Sequence, residues 1–205
     1  MHSQDDDVSN NFFWSYNIGA AHIISFSTEV YFYTKYGTHQ IDYQLQWLKD
    51  DLKKANKTRS ERPWIITIAH RPFYSQFGKN DKNGALLRNA LEKLFYDYKV
   101  DLSIWGHMHI YQRMYPVYQE KVFKINSDFY IDPKATVHII TGSAGCNSRL
   151  DPIEKILPDY SAKLYRDYGF SKLTIQNKTH LHWRQTAESQ EWAEVDNIWI
   201  IKDYK

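Results

Sequence analysis

The chain has 205 residues, 42% of them hydrophobic and 24% charged, with 26 Lys and Arg against 24 Asp and Glu. That length and apolar share suit one globular domain of ordinary size and exclude wholesale disorder. The formal charge of +2 argues against a nucleic-acid binder, no apolar run approaches the roughly 20 residues of a membrane helix, and a single Cys excludes an internal disulfide.

Taken in chain order, residues 22–27 form a short apolar run suited to a strand buried on both faces. Over residues 40–54, Ile41, Leu45, Leu48 and Leu52 fall on one helical stripe, with Asp50 and Lys54 paired on the wet side. Pro63 opens a second buried strand over 64–69. A loop rich in Gly, Asn and Lys leads to a second helical pattern, 86–98, carried by Leu87, Leu91, Leu94 and Tyr98. Residues 100–105 predict a third strand. Strands alternating with helices imply βαβ units and a largely parallel sheet. Beyond Thr136 the pattern changes to strand-like runs at 137–140, 169–175, 180–185 and 198–201, with no strong helix. The reading is α/β over residues 1–135, followed by a β-rich region over 136–205.

Ligand sites in such sheets form beyond the carboxyl ends of the strands. Two predicted strand ends carry histidines, in His70-Arg71-Pro72 and in Gly106-His107-Met108-His109. Gly106 relaxes the backbone as it leaves the strand, and His-Met-His alternation places two imidazoles on one side. His70, His107 and His109 are therefore expected to converge at one sheet edge, as a nitrogen donor set for zinc or iron. Taken singly, each also reads as a hydrogen-bonded loop histidine. The remaining candidates read as structural. His22 and His138 fall in apolar runs as core or interface residues with one hydrogen bond each, and His180 and His182 mark a solvated strand face. Thr141-Gly142-Ser143-Ala144-Gly145 is no phosphate loop, because no helix with Lys-Ser/Thr follows it. Cys146 reads as a small buried residue and Asp5, Asp6 and Asp7 as a solvated run. Asn56 and Asn177 open Asn-Lys-Thr sequons in polar stretches, where exposed side chains would accept glycans. No apolar leader segment accompanies residues 1–7, so either the protein is cytosolic or the natural domain is expected to begin elsewhere.

In combination, Trp14-Ser15-Tyr16-Asn17-Ile18-Gly19, Ala21-His22-Ile23-Ile24-Ser25-Phe26-Ser27, Ala69-His70-Arg71-Pro72-Phe73-Tyr74, Gly106-His107-Met108-His109-Ile110-Tyr111-Gln112-Arg113 and Val137 to Cys146 resemble the purple acid phosphatases of the animal type related to the long plant enzymes. The resemblance implies a metallophosphatase-type sandwich of two mixed sheets flanked by helices. It also implies hydrolysis of small phosphoric monoesters at acidic pH, in a secreted or lysosomal setting, by a ferric ion beside a divalent metal, often zinc. Neither nucleic acid nor membrane is an implied partner. On this resemblance His70 and His107 match divalent-metal ligands and His109 an iron ligand, while Tyr111 and Arg113 support the ligands or the fold. No residue is assigned a catalytic role.

The family's other ligands come from Gly-Asp and Gly-Asn-His motifs, and this chain has no Gly-Asp and no Gly-Asn dipeptide. The loop over 75–84 lacks the family's substrate-side histidine. The expectation is a partial copy, weakly active or inactive alone, holding at most one zinc and exposing a sheet edge with an apolar face. An inactive remnant serving as a binding module is the alternative. An intracellular metallophosphodiesterase is disfavoured by the sequons and by the match at 141–146.

Overall fold

The structure, a computed structural model, describes residues 11–145 and 148–203, so Asp5, Asp6, Asp7 and Cys146 lie outside the described residues. Strands β1 (Trp14–Ile18) and β2 (Ala21–Ser25) are followed by a 3-10 turn at Glu29–Tyr31, α1 (His39–Lys57) and β3 (Trp64–Ala69). Next, α2 (Lys82–Leu87), a π turn (Arg88–Glu92) and α3 (Lys93–Asp97) run end to end before β4 (Leu102–Trp105) and β5 (Tyr111–Met114). The short β6 (Val117–Tyr118) and β7 (Lys121–Val122) precede β8 (Phe129–Ile131) and β9 (Val137–Thr141). The chain closes with β10 (Ser161–Tyr165), β11 (Ser171–Ile175), β12 (His180–Ala187) and β13 (Ala193–Ile201).

A seven-stranded sheet in the order β1-β2-β3-β4-β9-β5-β10 faces a four-stranded sheet, β11-β12-β13-β8. Strands β2, β3, β4 and β9 pair in parallel, as the βαβ reading requires, whereas β1, β5 and β10 pair antiparallel. The large sheet takes β9 and β10 from beyond residue 135, and the small one takes β8 from before it. Successive side chains along a strand point to opposite faces, so each buried strand serves two cores. Ile65 packs with Leu48, Leu52, Leu91 and Phe95 on the helix side. Its neighbour Ile66 joins Leu102, Ile139, Trp183 and Ile198 between the sheets. The helix beginning at Lys82 starts where Asp81 accepts a hydrogen bond from the Gly84 amide at 2.8 Å.

A buried ion pair ties the sheets together. On β5, Arg113 donates to both oxygens of Asp196 on β13, at 2.6 and 2.9 Å, and the Tyr111 hydroxyl donates to the same carboxylate at 2.7 Å. The Arg113 guanidinium also reaches the Tyr130 hydroxyl on β8. With both charges almost fully buried, loss of either partner would strand the other, at a cost of about 3–5 kcal/mol.

His22 departs from its predicted single bond. Its two ring nitrogens lie 2.8 Å from Asn17 and 2.8 Å from Asp51, fastening the β1–β2 hairpin to α1. His138 keeps one bond, accepting from the Trp105 indole N–H at 3.1 Å, among the rings of Phe73, Tyr74 and Trp105. Burial, reinforced by the Arg88 cation, pushes its pKa down to about 3. The unfolded chain takes up a proton near the ordinary value of about 6.5, whereas the folded chain refuses it until near 3. Stability is therefore lost as pH falls from about 6.5 toward 3, by roughly 4–5 kcal/mol if the whole shift operates. Urea denaturation at neutral pH and at about pH 4.5 should show a smaller acid loss for His138→Gln than for the parent chain. Equal losses would remove His138 as the cause.

Candidate functional site

The carboxyl ends of three adjacent parallel strands meet at one place. Thr28 and Glu29 follow β2, His70 and Arg71 follow β3, and Gly106 and His107 follow β4. His107 Nδ1 lies 3.2 Å from His70 Nε2, and the rings meet edge to face with centroids 5.0 Å apart. On its far side, His107 Nε2 accepts from Arg71 Nη1 at 3.3 Å. A neutral imidazole has one N–H, so that acceptance leaves the proton of His107 on Nδ1, directed at His70. Partial burial, then the Arg71 cation and His70, lower the His107 pKa and favour the neutral ring. Arg71 is itself fixed: its Nε and Nη2 donate to Glu29 at 2.8 and 3.2 Å, and its backbone N–H donates to Thr28 Oγ1 at 2.8 Å.

His107 reaches this position through a constrained turn. The Met108 amide donates to the Gly106 carbonyl at 2.8 Å, and His107 between them has φ = 66°, which defines a positive-φ γ-turn. Non-glycine residues rarely adopt this backbone, and such strain persists only where the surroundings impose it. The imposing partner is Gly142, just past β9. A Cβ there would overlap the Met108 carbonyl oxygen, so only glycine lets the two backbones approach. The conformational burden thus falls on His107 and not on Gly106, where the sequence reading placed the relaxation. Strand-like alternation through His-Met-His is lost in the same turn.

His109 consequently points elsewhere. Its Nδ1 lies 3.1 Å from Ser148 Oγ and 3.4 Å from the Arg149 carbonyl, and its amide donates to Asp151 at 2.7 Å. Of the three expected to converge, the structure brings together His70 and His107, and it gives His109 no contact with either. Tyr111 and Arg113 bond to Asp196 between the sheets, and among the described residues neither hydrogen-bonds to an imidazole. Both sequon asparagines, Asn56 and Asn177, are exposed. Asn56 lies in the last turn of α1, and Asn177 organises the β11–β12 turn by accepting from the Thr179 and His180 amides at 2.8 and 2.9 Å.

A cleft of about 260 Å³ opens beside His107. Its lining combines polar Arg71, Asn83, Asp81 and Asp151 with apolar Pro72, Phe77 and Met108. Arg71, Asn83, Phe77 and Asp151 were missed by the sequence reading, although Arg71 sits beside His70 in a quoted motif. The larger cavity, about 640 Å³, lies at the opposite ends of β4 and β9 around Asp101, Asp132 and Lys202, and no histidine lines it.

Zinc bonded to nitrogen at roughly 2.0–2.1 Å in tetrahedral geometry sets neighbouring donor atoms about 3.3 Å apart. The facing nitrogens of His70 and His107, 3.2 Å apart, fit two such corners. Among the described residues no group of three or more His, Cys, Asp or Glu side chains is placed to hold a metal ion. The donors present are therefore part of a set, and they do not close one. If His107 gave Nδ1 to a metal, its proton would move to Nε2 and displace the Arg71 donation.

Sequence comparison follows this geometry. The profile described as calcineurin-like phosphoesterase matches residues 4–111, and the one described as iron/zinc purple acid phosphatase-like protein C matches residues 135–195. The human protein named acid phosphatase type 7 is 44% identical over 92% of this chain. The chain belongs to the purple acid phosphatases. The Arabidopsis thaliana protein named Fe(3+)-Zn(2+) purple acid phosphatase 12 is 32% identical over 84% of the chain. Among solved structures, the yellow lupin purple acid phosphatase PPD1 superimposes with a TM-score of 0.79 at 27% identity, over 96% of this chain and 34% of its own. The chain spans 46% of the human relative and 37% of the Arabidopsis one. The layered arrangement described above is the purple acid phosphatase fold. Among the described residues, no helix is long and apolar enough to cross a membrane.

Gly142→Ala should destabilise the chain by about 1–3 kcal/mol and separate His107 from His70, because backbone must move to admit the methyl group. Gly106→Ala, whose Cβ would meet His70 Nδ1 at an ordinary 3.5 Å, should cost far less. Urea denaturation of the two variants checks the contrast, and equal losses would contradict the role given to Gly142.

Proposed function

We propose that this chain supplies the paired-histidine portion of an acid phosphatase site that hydrolyses phosphoric monoesters. The observation that carries the reading is the His70–His107 nitrogen pair, 3.2 Å apart, at adjoining strand ends beside a cleft lined by Arg71. In the complete protein the pair would hold the divalent ion, with zinc favoured by nitrogen donors, and the iron and remaining ligands would come from outside the described residues. A metal bound there polarises a phosphoryl oxygen and lowers the pKa of bound water.

The chain's own residues account for the rest. Arg71 has five N–H groups, of which three are given to Glu29 and His107. A further side-chain hydrogen bond goes to Tyr33, which leaves one N–H to orient an ester oxygen at the cleft. Glu29 fixes the guanidinium, and Thr28 the backbone amide, so that the side chain does not swing away when it donates. His109 would act by holding the Asp151 loop and not as a donor in the present geometry.

A chimera in which this chain replaces the corresponding stretch of the human relative should hydrolyse 4-nitrophenyl phosphate at acidic pH. His107→Ala in that chimera should lower the rate at least about a hundredfold, the scale on which metal sites respond to damage near the ion. The isolated chain should be slower than the chimera by at least a similar factor. A folded but inactive chimera, or full turnover by the isolated chain, would overturn the proposal.

A further inference from the structure

The cleft lining mixes polar and apolar side chains, and the phosphatase reading uses only the polar ones. Phe77 is 41% exposed and lines the cleft with Pro72 and Met108, yet its ring stacks on no other ring or cation among the described residues. Exposure of a lone aromatic ring on a loose loop would mean little. The segment under Phe77 is fixed at several points. The Tyr160 hydroxyl donates to the Ser75 carbonyl at 2.7 Å. The buried Gln76 side chain donates to the Pro152 carbonyl and accepts from the Glu154 amide, both at 2.9 Å. The Ser75 hydroxyl donates to Asp81, the residue that caps α2. These bonds join the 75–81 loop to the 152–158 loop, and Pro158 packs against Gly78, immediately after Phe77. The ring is thus held at the cleft on a braced support, with one face available.

We infer that Phe77 is a specificity-determining residue, selecting phosphoric monoesters whose alcohol part is aromatic or otherwise flat and apolar. The inference rests on the reading of the Arg71 side as the anion-facing end. A dianionic ester group near Arg71 and Asn83 leaves its organic part to lie along Pro72, Met108 and Phe77. A polyhydroxylated alcohol would there lose water without finding hydrogen-bond partners, because the three apolar side chains offer none. The cleft volume of about 260 Å³ suits a single ring beside a phosphate and not a large ligand. Asp81 and Asp151 each give part of their accepting capacity to Ser75, Gly84 or His109, so the contrast between alcohols is set by the contact with Phe77.

Binding can be measured on the 205-residue chain by isothermal titration with inorganic phosphate, glycerol 2-phosphate and phenyl phosphate, with and without added zinc. Phenyl phosphate should bind about three- to tenfold more tightly than glycerol 2-phosphate, the scale of one aromatic contact. Phe77→Ala should erase that ratio while leaving inorganic phosphate binding unchanged, and Phe77→Trp should restore it. Phosphate binding with no phenyl preference, or a preference that survives Phe77→Ala, would overturn the role of Phe77 and leave the Arg71 reading intact. Failure of all three anions to bind under either condition would sink the anion-facing reading, and the role of Phe77 with it.

Discussion

The backbone contact between Gly142 and the Met108 carbonyl is the constraint on which the rest of the site depends. It admits the chain leaving β4 as it folds back within three residues, and His107 absorbs the turn with φ = 66°. That turn aims one imidazole nitrogen at His70 and the other at Arg71. Arg71 in turn is held by Glu29 and Thr28 from the end of β2. Four strand ends, β2, β3, β4 and β9, therefore specify one pair of nitrogen atoms. The parallel order β2-β3-β4-β9 makes this possible, because it brings those ends to one edge of the sheet.

Below the site, the polar groups serve rigidity more than chemistry. The Arg113–Asp196 pair locks the two sheets, and its neighbours Tyr111 and Tyr130 complete the hydrogen bonding that makes such burial tolerable. Tyr74 donates to Glu92, whose carboxyl is raised by burial, and the π turn at Arg88–Glu92 is where this contact joins the helix. Arg88 lies over the Tyr74 ring and donates to the Phe73 carbonyl, which steadies the segment leading away from His70. His138 works against an acidic setting, since its neutral form is required by the fold.

Much of the fold was legible because burial leaves periodic signatures. Leu48 and Leu52 are fully buried on the stripe that their spacing predicts, and β3 runs from Trp64 to Ala69 as its apolar run requires. β5 was not legible: Tyr111, Gln112, Arg113 and Met114 are all buried, but Arg113 finds its partner across the sheets and Gln112 finds one on the neighbouring strand β10. In the site, His70 and His107 follow from their places at consecutive strand ends. The departure of His109 does not, because a γ-turn enforced by a glycine thirty-five residues from His107 is a tertiary effect that local alternation cannot register. The Phe77 side of the cleft escaped for a similar reason, since it exists only once Gln76 meets Pro152 and Glu154.

The central claim is that His70 and His107 act as one two-nitrogen unit while the other histidines do not. Zinc titration of the chain labelled with nitrogen-15 in its imidazoles tests this most directly, read through the ring nitrogen resonances. His70 Nε2 and His107 Nδ1 should shift together and saturate near one equivalent, with His109, His180 and His182 unmoved. His182, stacked on Trp199 at 4.0 Å and bonded to Asn197, is a demanding control, since it shares the His-x-His spacing of the 107–109 segment. Zinc that perturbs His109 or the His180–His182 strand first, or that moves His70 and His107 independently, would contradict the account.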